Sequence, residues 1–72
     1  MRRLGRAVSN TGGAVVVRCE EGLEPTFDEP VYDASLDRLG RTFEFFGPVK
    51  RPYALVETDA RPDRDEKLYL RD

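Results

Sequence analysis

Cys19 is the only cysteine in the chain and histidine is absent, so the side chains that most often serve as nucleophile, general base or soft metal ligand are almost missing. Ser9 and Ser35 stand near turn residues with no candidate base, and a zinc site needs four ligands that this chain does not have. An activated thiol at Cys19 would need cationic neighbours. Only Arg18 is adjacent, and the plainer role is a small apolar residue at a strand end. The pairs Glu20-Glu21 and Asp28-Glu29 have the composition for acid–base work or for holding a divalent cation, but they sit among like charges in a loop-like stretch and read as a solvated acidic lobe. Gly12-Gly13 matches neither the dinucleotide nor the Walker phosphate pattern, and no helix follows it. It reads as a turn. No catalytic residue, metal or cofactor is expected.

The remaining chemistry is aromatic and basic. Phe43, Phe45, Phe46 and Tyr53, with Arg38, Arg41, Lys50 and Arg51 beside them, have the composition of a stacking platform for single-stranded nucleic acid. Strand alternation argues otherwise: it places Leu39, Phe43 and Phe45 on one face and Thr42 and Glu44 on the other, so Phe43 and Phe45 are expected in the core. Phe46, Pro48, Val49 and Tyr53 are then left on or beside a loop stiffened by two prolines. An apolar patch of this kind marks a partner surface, or else caps one end of the fold. A preshaped loop loses less entropy on association, and an aromatic flanked by arginine has hot-spot composition. The expected partner-binding residues are Phe46, Gly47, Pro48, Val49, Lys50, Arg51, Pro52 and Tyr53. Gly47, Pro48 and Pro52 set the shape, while Lys50 and Arg51 form a polar rim.

These residues need a frame to hold them. No window carries the i, i+3, i+4, i+7 spacing of an amphipathic helix, whereas short β-branched or aromatic runs recur between turn signals. Strands are expected over Leu4–Ser9, Ala14–Cys19, Val31–Asp33, Arg38–Phe46, Tyr53–Thr58 and Lys67–Leu70. The three valines of the second strand imply burial on both of its faces. The acidic segment Glu20–Glu29 reads as a loop across one end, with Phe27 as its hydrophobic anchor, and Asp59–Glu66 as a charged turn. Six short strands at this spacing favour an all-β fold, a small closed barrel that leaves no exposed strand edge. Leu4-Gly5-Arg6 recurs as Leu39-Gly40-Arg41, 35 residues on. Either the echo is coincidence, or Gly5 and Gly40 mark bulges where the two halves of a pseudo-symmetric sheet bend.

Composition sets the limits. A chain of 72 residues makes one domain, residues 1–72, that buries about 60% of its unfolded surface, with a total stability of about 4 to 11 kcal/mol that a few buried aromatics would largely decide. Apolar residues are 39% and charged residues 36%, polar for a folded domain but too rich in Val, Leu, Phe and Tyr for disorder. No run reaches the roughly 18 apolar residues of a membrane span, and the start lacks the apolar core of a signal peptide. A cytoplasmic location is expected. The formal charge is −2, and Glu20, Glu21, Glu24, Asp28, Glu29 and Asp33 fall in one stretch without a Lys or Arg, which repels phosphate. Arginine supplies nearly all of the positive charge. The shortage of lysine, with the acidity, points to a high-salt cytoplasm.

Leu39-Gly40-Arg41, Phe46-Gly47-Pro48-Val49 and Pro52-Tyr53 resemble the core domain of the Gar-one subunit of H/ACA ribonucleoproteins, and the opening Arg-Arg-Leu-Gly-Arg resembles its archaeal form. The resemblance runs from Leu4 to Leu70. It implies a six-stranded barrel of the translation-elongation-factor type that is not an enzyme. It also implies a partner, the pseudouridine synthase subunit of the TruB and dyskerin type, which carries the catalytic aspartate while a guide RNA selects the uridine. Guide RNA would be met only indirectly, through the particle. The role implied is to bias a mobile loop of the synthase, promoting substrate loading and product release in pseudouridylation of rRNA. The chain lacks the glycine-arginine-rich tails of eukaryotic members, and a free monomer with no membrane or small-molecule partner is expected. A related H/ACA assembly factor is one alternative, disfavoured by the absence of long extensions. A direct RNA-binding barrel is another; its acidic lobe implies no measurable RNA binding at physiological salt.

Overall fold

The computed structural model describes residues 2–71 and contains six strands: β1 (Arg2–Asn10), β2 (Ala14–Cys19), β3 (Pro30–Tyr32), β4 (Arg38–Phe46), β5 (Tyr53–Glu57) and β6 (Lys67–Leu70). They close into a ring in the order β1-β2-β5-β4-β3-β6, every neighbouring pair antiparallel. The architecture is the small all-β barrel expected. Strand ends differ modestly: β1 begins earlier, at Arg2, β3 spans Pro30–Tyr32, and β5 stops at Glu57.

Four register shifts bend the ring. In β1 the pairing skips Leu4 against β6 and Val8 against β2; in β4 it skips Leu39 against β3 and Phe43 against β5. Each extra residue kinks its strand and tightens the local twist that closure of so few strands requires. The two pairs are related by the spacing of the sequence echo, Leu4 with Leu39 and Val8 with Phe43. Exchanging β1 with β4, β2 with β5 and β3 with β6 returns the same ring. The echo is thus a pseudo-twofold axis and not coincidence. Its glycines have a shared reason: a Cβ on Gly5 would overlap the Arg18 carbonyl oxygen, and one on Gly40 would overlap that of Glu57. Only glycine lets the neighbouring backbone come so close.

The core is aliphatic. Leu4, Ala7, Val15, Val17, Val31, Ala54, Val56, Leu68 and Leu70 fill it together with Cys19. None of the four phenylalanines belongs to it, contrary to the expectation of a core decided by aromatics; Phe45 and Leu39 only pack against its margin. A six-stranded ring is too narrow inside for aromatic side chains in layers. The valine run is also corrected: Val15 and Val17 point inward, while Val16 lies outside and is only half-covered.

Thr42 is the largest correction. The bulge at Phe43 breaks the period of two, so Thr42 turns inward and is fully buried, and Phe43 turns out with 60% of its surface exposed. Thr42 Oγ1 donates to Thr26 O at 2.6 Å and accepts from Glu29 N at 2.9 Å. Its backbone adds Thr42 N to Glu29 O and Asp28 N to Thr42 O. Thr42 therefore anchors the acidic loop. Phe27, the expected anchor, is 64% exposed and rests edge-on against Phe45, with ring centroids 5.5 Å apart.

Candidate functional site

Between β4 and β5 the chain reverses through residues 47–52. Gly47 adopts a left-handed φ of 89°, open to glycine at little cost, and a Cβ there would press within 3.1 Å of the Tyr53 ring. The last residue of β4, Phe46, pairs in register with the first of β5, Tyr53. Their rings stack, with centroids 5.5 Å apart and planes inclined by 15°. An offset stack of this kind favours one orientation of both rings before any partner arrives.

Hydrogen bonds to other elements hold the loop. Gly22 N donates to Lys50 O at 2.7 Å, Arg51 Nε to Cys19 O at 3.2 Å, and Cys19 N to Pro52 O at 3.0 Å. The acidic loop, the end of β2 and the β4–β5 loop thus form one tied assembly. From it Val49 projects with 92% of its surface exposed, and Phe46 remains 43% exposed. Pro48, Lys50 and Arg51 are exposed as well, whereas Tyr53 is half-buried and Pro52 is buried. Pro52, expected among the partner-binding residues, is thus without a free face to offer a partner and serves only to shape the loop.

Phe43, assigned to the core by alternation, instead joins the outer surface of β4. The signal that could have shown this was the echo itself, since the residue 35 positions earlier is Val8, the other bulged and exposed residue. Arg41 on the same strand is partly neutralised. Its Nε lies 3.6 Å from Glu57 and 3.9 Å from Asp28. Arg41 is therefore not a free rim cation beside the aromatics.

Cys19 is fully buried. Burial, with Glu20 adjacent, pushes its thiol from 9.0 up to about 12, so it is protonated and unreactive at neutral pH, as its place at a strand end implies. Among the described residues, no group of three or more His, Cys, Asp or Glu is arranged to hold a metal ion. Among the described residues, no helix is long and apolar enough to cross a membrane. No protein-family model matches the chain, and a comparison with curated proteins finds no match. What the site offers chemically is a fixed aromatic pair and one projecting aliphatic side chain.

Proposed function

We propose that this chain is the non-catalytic Gar-one-type subunit of an H/ACA ribonucleoprotein. It docks on the TruB/dyskerin-type synthase through Phe46, Val49 and Tyr53, with Pro48, Lys50 and Arg51 around them. The observation that carries the reading is Val49, almost wholly exposed on a loop that is fastened at three points. An aliphatic side chain held out rigidly loses little entropy when a partner pocket closes over it. The resemblance of Phe46-Gly47-Pro48-Val49 and Pro52-Tyr53 supplies the partner's identity. The subunit acts without chemistry of its own: by binding one position of a mobile synthase loop more tightly than the other, it shifts their populations and hence turnover. Cytoplasmic residence and contact with guide RNA through the particle follow from this reading.

Val49→Arg tests it. The substitution adds a charge where nothing in the chain packs, so the melting curve should be unchanged while co-purification with the synthase subunit is lost. Retention of the synthase at unchanged affinity would place the interface elsewhere.

A further inference from the structure

The pseudo-twofold axis exposes a difference between the two halves of the barrel. Gly5 and Gly40 are equivalent, each pressed against a facing carbonyl, that of Arg18 in one half and of Glu57 in the other. The next residues along the strands, Arg6 and Arg41, are paired in register with those same two positions. In the β4–β5 half the pair is Arg41 with Glu57, an ion pair reinforced by Asp28. In the β1–β2 half it is Arg6 with Arg18, two like charges directly opposite. Such a pair destabilises a sheet, and the other half shows that the fold accommodates the neutral alternative.

Around this pair lies a groove of about 340 Å³. Arg3 and Arg6 come from β1, Arg18 from β2, Arg51 from the β4–β5 loop and Arg64 from the β5–β6 loop. The last is brought in because Asp65 N donates to Ala7 O at 2.8 Å and Ala7 N to Glu66 O at 3.0 Å, which lays that loop along β1. Among the described residues, Glu20 and Asp65 are the only acids lining the groove, so five arginines against two acids leave an excess of three positive charges. Among the described residues, no carboxylate lies in ion-pair contact with any of the five. The chain as a whole is negative at −2, so the concentration is local.

We infer that this groove binds the phosphodiester backbone of a nucleic-acid strand, with Arg6 and Arg18 clamping one phosphate between them. Guanidinium forks match phosphate oxygens two by two, and an anion there removes the like-charge conflict that the other half resolves with Glu57. The groove meets the docking loop at Arg51 and Tyr53, but the clamp itself, Arg6 with Arg18, belongs to β1 and β2.

Fluorescence anisotropy of a labelled single-stranded oligouridylate with the full chain tests it. Three neutralised phosphates give a slope of log affinity on log salt of about −2 for a single strand, so affinity should fall roughly twentyfold between about 50 and 200 mM salt. Arg18→Glu recreates the Arg–Glu pair of the other half. It should weaken oligouridylate binding by about tenfold or more, bring the slope near −1, and raise the melting temperature. Arg6→Gln and Arg64→Gln, which add no charge, should weaken binding by a few-fold each. Val49→Ser, which trims the docking loop without adding charge, should bind the oligonucleotide as the native chain does, which separates this groove from the docking site. The inference is overturned if the native chain shows no binding at about 50 mM salt, or if Arg18→Glu and both glutamine variants bind as tightly as it does. It is likewise overturned if a poly-glutamate peptide competes equally, which assigns the groove to acidic protein. Competition by uridine monophosphate or inorganic phosphate at equal phosphate concentration would assign it to free phosphate compounds and overturn the strand.

Discussion

Replacing Thr42 with valine keeps the shape of the side chain, leaves no cavity and removes one hydroxyl. That hydroxyl is fully buried and makes two hydrogen bonds, to Thr26 O at 2.6 Å and from Glu29 N at 2.9 Å. In the variant both backbone groups lose their partner inside a partly buried junction. An unsatisfied group costs about 1 to 3 kcal/mol; taking the lower end because water reaches the loop gives about 2 to 3 kcal/mol for the pair. Against a total of about 4 to 11 kcal/mol, this is a large fraction. For a domain of this size it corresponds to a fall of roughly 10 to 20 °C in melting temperature. The loss is also directional, because Thr42 fastens the acidic loop, and that loop donates Gly22 N to Lys50 O. Calorimetry gives the global figure, and amide exchange by NMR gives the local one: the amides of Gly22, Asp28 and Glu29 should exchange faster than global unfolding allows. A melting temperature within about 3 °C of the native value, with Glu29 exchange unchanged, would refute the role of Thr42 as the loop's anchor. Thr42→Ser, which keeps the hydroxyl, should restore most of the exchange protection.

Two further outcomes follow from the backbone and from Cys19. Gly40→Ala forces a Cβ into the Glu57 carbonyl, with Thr58 Cβ only 3.1 Å away, so urea unfolding should show a loss of about 3 kcal/mol or more. Gly5→Ala should lose a similar amount, since the same contact is repeated at Arg18. For Cys19 the folded thiol titrates near 12 against 9.0 unfolded. The folded state therefore holds its proton more tightly; the stability this represents is fully present below pH 9 and is lost as pH rises from about 9 towards 12, by up to about 1.4 kcal/mol per pH unit. Cys19→Ala should lack that component, so the stability of the native chain relative to the variant should stay flat below about pH 9 and fall as pH rises above it.

The six strands were legible because Gly, Pro, Asn or Asp stands at or near an end of each, and because a turn residue announces itself locally. Facing was less legible. Period-two alternation puts Phe43 inside, and a single extra residue at the bulge inverts Thr42 and Phe43; nothing in Thr42-Phe43-Glu44 read alone marks it. The echo of Leu4-Gly5-Arg6 was the one sequence feature that pointed to bulges, and it needed the register to become an axis. Residues 47–52 were recognisable as a shaped loop from Gly47, Pro48 and Pro52, but the burial of Pro52 depends on Cys19, which lies far away in sequence. The arginine groove gathers positions from 3 to 64. Its members were visible only as a basic start and scattered arginines until strand pairing brought them together.

The ring of strands has no edge. Each strand has a hydrogen-bonded neighbour on both sides, so no incoming chain is able to extend the sheet, and recognition must pass through side chains and loop backbone. Residues 47–52 lie outside the ladder. Their exposed positions, Pro48 and Val49 above all, are free to change in evolution without altering a single rung of the barrel. Under the proposed docking, the most exposed contact positions therefore lie outside the strands, and one frame of ten core residues has room to support many different contact surfaces.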